Sequence, residues 1–205
     1  FIPIIFISIF SFNNTYRDTT YKNQEFVTNI SYQVSNNINY LFTKYVDKFY
    51  SVSHNNVILA DAYSYLQNNK YRNIEVENRI ELALASIVGR EEGINSVAIY
   101  LDKGYSFNYG LPVIKEGAFF SDVDNKYMSN EIIWDIVENS MDNAKNKYIV
   151  LSKKINLRYG SDDTGIVVMT ISREYIDDVC DKNISSNNHS IIITDQNGLI
   201  ISHPD

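Results

Sequence analysis

A chain of 205 residues with 44% hydrophobic content is long enough to bury one good core, or one domain and part of another. Its 18 Lys and Arg against 25 Asp and Glu leave a net charge of −7 without a basic cluster. This excludes a nucleic-acid partner, because neutralising phosphates takes concentrated cations. A single cysteine, Cys180, rules out an internal disulfide and a cysteine-rich zinc site.

Residues 1–12 (FIPIIFISIFSF) are nearly pure hydrocarbon but fall short of the about 20 residues that cross a bilayer. They begin with Phe and lack a small-x-small cleavage pattern, so they read as the end of a truncated transmembrane helix rather than a signal-peptide core. From about Tyr16 to Tyr65 runs one long amphipathic helix. Its stripe is Val27, Ile30, Val34, Ile38, Leu41, Tyr45, Phe49 and Val52, at steps of three or four. No Gly or Pro interrupts residues 13–67, so an unbroken rod of about 75 Å is expected. The near-heptad rhythm predicts a parallel homodimer through this helix; the same stripe would equally pack on the domain's own sheet.

Gln67-Asn-Asn-Lys70 is a polar break. A second helix is predicted over Ile74–Val88, opened by Asn73 and stopped by Gly89, and Gly89–Gly93 is a charged turn. Val97, Ile99 and Leu101 then alternate with Ser96, Ala98 and Tyr100, and Asp102–Gly104 turns the chain into a returning strand, Tyr105–Tyr109. Residues 110–125 read as a loop with a short strand near Phe119. A helix capped by Ser129 follows, with Ile132, Ile133, Ile136 and Val137 facing inward. Tyr148–Leu157 and Gly165–Ser172 are strands, and Ser172 caps a helix from Arg173 to about Val179. After a linker, Asn-Gly between Ser190–Thr194 and Leu199–Ser202 is a strong hairpin signal.

Strands with helices set apart predict an α+β fold: a long N-terminal helix, then an antiparallel sheet. The order resembles the bacterial double Cache sensor domain, in which a membrane-exiting helix precedes two PAS-like sheets. The residues carrying the resemblance are Ser190–Asp205 (SIIITDQNGLIISHPD), similar to the opening hairpin of the membrane-proximal module, and Gly165–Ile176 (GIVVMTISREYI), similar to the last distal strand and its exit helix. Trp134 stands where YesM-type sensor histidine kinases often carry a Trp in the distal module. The resemblance divides the chain into residues 1–12, the end of a membrane helix; 13–70, the signalling helix; 71–172, the distal module; 173–189, a linker; and 190–205, the start of an incomplete proximal module.

The resemblance implies the extracytoplasmic, ligand-sensing part of a receptor in a bacterial cell membrane, with residues from about 13 onward outside. The output would be a two-component histidine kinase, with a chemotaxis receptor or a diguanylate cyclase as the alternative. A surface-anchored scaffold or adhesion protein is the rival of another class. Amino-acid-binding relatives place an Arg two residues before the Trp and a Tyr directly after it; here Ile132 and Asp135 occupy those positions. Without a guanidinium there is no two-pronged grip on an α-carboxylate, so a neutral, sugar-like or cationic small ligand, or none, is expected.

Candidate ligand-binding residues are Trp134, Tyr100, Tyr105, Tyr109 and Lys153. An indole or a phenol offers apolar area with one polar handle, and the alternative for each is plain core or sheet surface. Lys153 falls in phase with Ile149, Leu151, Ile155 and Leu157, so its ammonium must meet a partner or reach past the sheet edge. Asp162 and Asp163 are adjacent loop residues. His54, His189 and His203 are scattered without the spacing of a ligand set. No catalytic residue, metal site or cofactor is predicted, and any enzyme activity of the parent would lie outside these residues.

Overall fold

The computed structural model describes residues 2–67, 73–101, 104–111, 131–138, 147–160, 162–182, 192–194 and 200–202, with backbone alone for 2–10, 138 and 200–202. Helix α1 (Ile2–Ser53) is followed by α2 (Asn56–Gln67), α3 (Ile74–Val88), β1 (Ile94–Leu101), β2 (Ser106–Gly110), β3 (Ile133–Glu138), β4 (Lys147–Asn156) and β5 (Thr164–Ser172). Helix α4 (Arg173–Lys182) leaves the sheet, and β6 (Ile193–Thr194) pairs with β7 (Ile200–Ser202). The fold is α+β. Its main sheet has the strand order β2-β1-β5-β4-β3, antiparallel throughout.

The rod expected from Tyr16 to Tyr65 is broken once. His54 and Asn55 leave the helix, and Asn55 starts α2: its Oδ1 accepts from the backbone N–H groups of Val57 at 3.0 Å and Ile58 at 3.1 Å. Absence of Gly and Pro does not guarantee continuity. Short polar side chains (Ser53, Asn55, Asn56) offer the backbone a competing set of hydrogen bonds, and an Asx cap wins here. The break folds α2 back onto α3, where Ile58, Ala62 and Leu66 meet Val76, Ile80, Leu84 and Val88 in one core. Asp61 and Arg79 pin the pair from outside with two hydrogen bonds, Nη2 to Oδ1 at 2.8 Å and Nε to Oδ2 at 3.0 Å.

Helix α3 has the predicted bounds, and Asn73 Oδ1 accepts from Val76 N. Gly89 stays right-handed at φ −66°, so it does not end the helix through a left-handed cap. Its value is space: a Cβ there would meet Ala85 O and the Tyr109 hydroxyl.

The stripe of α1 is divided. Val34, Ile38, Tyr45, Phe49 and Val52 are buried in the domain's own core, whereas Val27 is exposed. Phe12, Tyr16, Tyr21, Tyr32 and Tyr40 also lie on the exposed surface of the helix.

The helix predicted around Trp134 is a strand. Residues 133–138 pair with β4, Trp134 opposite Leu151 and Ile136 opposite Ile149. Apolar residues at 132, 133, 136 and 137 fit a helical repeat on paper, but Ile-Ile-Trp-Asp-Ile-Val is rich in β-branched and aromatic residues that suit a pleated edge. The two remaining strands, the exit helix capped by Ser172 Oγ and the first hairpin follow the sequence reading. The proposed Ser129 cap, the strand near Phe119, the linker 183–189, the Asn-Gly turn, His189 and His203 lie outside the described residues.

Candidate functional site

Register divides the sheet into two unlike faces. Val97, Ile99 and Leu101 of β1, Phe107 of β2, Ile149 and Leu151 of β4, and Val167, Met169 and Ile171 of β5 join the core shared with α1, α2, α3 and α4. The alternate residues build a second, smaller cluster of Ala98, Tyr100, Val150, Ile166 and Val168, edged by Ile133, Val137 and Tyr148. Its described members all belong to the sheet.

This outer face is not simply apolar. Ser96, Ser152 and Thr170 are buried there, and the Ser96 and Thr170 hydroxyls are 2.6 Å apart. Asn95 Nδ2 reaches Thr170 Oγ1 at 3.5 Å and Leu111 O at 3.3 Å. The pairing also puts Asn108, Ser106, Lys154 and Asp135 on this side, because they stand opposite Ala98, Tyr100, Ile166 and Val150. An apolar floor with a few hydroxyls, amides and charges is the mixture that binding sites for small molecules use.

The five predicted residues are not gathered in one place. Tyr100, 3% exposed, lies on the outer face. Trp134 lies on the helix side, 44% exposed, with its ring edge-on to Phe42 of α1 at 5.5 Å. Lys153 is on the same side, 9% exposed, with its ammonium over the Tyr50 ring. Tyr105 packs edge-on against Tyr65, and Tyr109 packs on the helix-side core. Ser96, Thr170, Ser152 and Tyr148 were not singled out from sequence, and Asp135 only as the residue that follows Trp134. The usable signal was the alternation in β1, where Ser96, Ala98 and Tyr100 interleave with Val97, Ile99 and Leu101.

A second polar assembly ties the helices to the sheet. The charged turn after α3 carries Glu91, whose Oε2 meets Lys44 Nζ at 2.5 Å and whose Oε1 meets Lys48 Nζ at 2.8 Å. Hydrogen bonds from these two ammonium groups hold the Glu91 carboxyl below its ordinary range, and the same carboxylate raises Lys44. Between the lysines, the fully buried Tyr45 donates its hydroxyl to Glu92 O at 3.0 Å, and burial pushes that phenol up. Tyr175 of α4 donates to Glu92 Oε2 at 3.1 Å; burial first and Glu92 second raise it. Among the described residues there is no cluster of three or more His, Cys, Asp or Glu placed to hold a metal. No helix among them is long and apolar enough to cross a membrane.

No protein-family model matches the chain, and no curated protein matches it. Among solved structures it aligns with the sensory domain of the Campylobacter jejuni chemoreceptor Tlp3 (CcmL) with isoleucine bound. Identity is 14% over 83% of this chain and 70% of that one, with a TM-score of 0.46. The ligand-binding domain of the same chemoreceptor with L-norvaline gives 15% identity, 85% and 70% coverage, and a TM-score of 0.45. At these values no site or activity is transferred from them.

Proposed function

We propose that this chain is the ligand-sensing region of a membrane-bound signalling receptor, anchored through its apolar N-terminal residues, with residues from about 13 onward outside the cell. The observation that carries the reading is the two-faced sheet. One face is locked to a 52-residue helix, and the other presents Tyr100, Tyr148 and buried hydroxyls around a small apolar floor. A ligand on the outer face would alter how the sheet sits on α1. It can shift the receptor only by its difference in affinity between the two arrangements.

The ligand class follows from side-chain chemistry. Asp135 places a carboxylate on the outer face, opposite Val150. This supports a neutral, hydroxylated or cationic small metabolite. The output is a histidine kinase in our reading; a chemotaxis rod or a cyclase would take the same input from α1. Assembly as a homodimer uses the exposed side of α1, because Val34, Ile38, Tyr45, Phe49 and Val52 are already consumed by the domain's own core. Symmetric disulfides through cysteines at Tyr21, Tyr32 or Tyr40 would support the dimer, and their failure at all three would exclude it.

The test of sensing is a thermal-shift screen of polar metabolites on the full chain. A true ligand stabilises progressively, by about 2.7 kcal/mol at one hundred times its Kd. That stabilisation should vanish in Asp135→Asn or Tyr148→Ala. Silence across sugars, polyols, amines and amino acids would instead favour a scaffold.

A further inference from the structure

We propose that the turn Glu91–Gly93 is a mechanical joint that holds α1 in one register against the sheet and binds it to the start of α4. Three ties converge on three consecutive residues. Both oxygens of the Glu91 carboxylate are used, one by Lys44 and one by Lys48, from successive turns of α1. Tyr45, on the helical face between them, donates to Glu92 O, and the Glu92 side chain accepts from Tyr175 of α4. Gly93 O accepts from Ser172 N at 2.8 Å, and the Ser172 hydroxyl caps α4 by accepting from Tyr175 N. The path α1–turn–α4 is therefore continuous in hydrogen bonds.

The spacing makes this more than surface decoration. A slide of α1 by one turn, about 5.4 Å, would bring either Tyr40 or Val52 to one of the Glu91 oxygens. In the observed register alone do both oxygens meet an ammonium. Gly93, at φ +85°, leaves no room for a side chain, since a Cβ would collide with the Tyr45 hydroxyl and the Tyr175 ring. The joint is thus both packed and charge-matched, and motion of α1 is handed to α4 rather than absorbed. That this motion is a signal rests on the sensing reading above; the coupling itself does not.

The test measures distances by paired spin labels on the full chain, diluted with excess unlabelled chain so that only pairs within one chain are read, in a Cys180→Ala background, at Tyr32→Cys on α1 and Asp178→Cys on α4. The wild-type turn should give one narrow distribution. Glu91→Gln should broaden it or add a population displaced by about one helical turn, and E91K combined with K44E and K48E should restore the narrow one. Should Glu91→Gln fail to fold by circular dichroism, Lys44→Met with Lys48→Met carries the same test, because both lysines are about a third exposed. A distribution that stays narrow without the lysine–carboxylate contacts would overturn the joint. No ligand is needed, so a silent metabolite screen would sink the sensing reading and leave the joint standing.

Discussion

The Lys153 ammonium lies 5.2 Å from the centre of the Tyr50 ring, on the helix side of the sheet. A cation in phase with an apolar strand face has thereby found an aromatic face on α1, and such contacts contribute on the order of 1 kcal/mol. Lys153→Met should keep the fold and change stability by no more than about 1 kcal/mol in urea unfolding, because the thioether fills the same volume. Lys153→Glu should cost about 3 kcal/mol, since it places an acid against a ring face in a buried site. Because the residue faces away from the outer side, Lys153→Met should leave ligand stabilisation intact. Loss of binding in that variant would move the site to the helix side.

The Asn55 cap sets where α1 ends and α2 begins. Asn55→Ala removes the acceptor for Val57 N and Ile58 N and should destabilise by about 1 kcal/mol, whereas Asn55→Asp or Asn55→Ser should recover most of that loss. Equilibrium unfolding of the three variants checks this. Equal stability of Asn55→Ala and wild type would show that solvent satisfies those N–H groups.

Gly93→Ala should cost more than 2 kcal/mol. It combines a left-handed backbone at φ +85° with a collision against Tyr45 and Tyr175. Gly104→Ala is the control: it has φ +79° but open space around it, so it should lose only the backbone part, about 1 kcal/mol.

Acid sensitivity follows from Glu91. Its folded pKa lies below the ordinary 4.5, so the folded state binds fewer protons than the unfolded chain through that range. The carboxylate's contribution is present above the unfolded value and is lost as the pH falls through the folded one. Glu91→Gln should therefore flatten the acid limb of the stability curve while lowering the neutral plateau by about 1 kcal/mol, a modest figure because both lysines are partly solvated. Lys44 is raised, so its share persists below 10.5 and is lost as the pH climbs through its folded value. An acid limb of unchanged slope in Glu91→Gln would show that other carboxylates govern acid unfolding.

Much of the architecture was readable from short-range pattern. Asn73 before an i, i+4 apolar stripe marked α3, and alternation marked β1, β2, β4 and β5, because caps and period-two burial are local effects. The break at Asn55 was missed because it depends on one side chain outcompeting a helical hydrogen bond, which needs α3 as a partner for the returning α2. Strand β3 was misread because its apolar spacing serves either period, and only β4 beside it decides. The Glu91 assembly was invisible for a related reason: its lysines are more than forty residues upstream, and a charged turn looks the same whether it meets water or a helix. The outer face lay between these cases, since its alternation was legible but its hydroxyl pair joins Ser96 to Thr170 across two strands.

Strand β1 has β2 on one edge and β5 on the other, so Tyr100, already opposite Ser106, takes its second partner only when Ile166 arrives. During synthesis the first hairpin therefore leaves the ribosome with one bare, aliphatic edge. That edge stays open to any passing strand until the rest of the sheet has been made. A cell producing this protein has reason to shield it for that interval, and truncations placed before Thr164 should be recovered as aggregates rather than as a smaller folded unit.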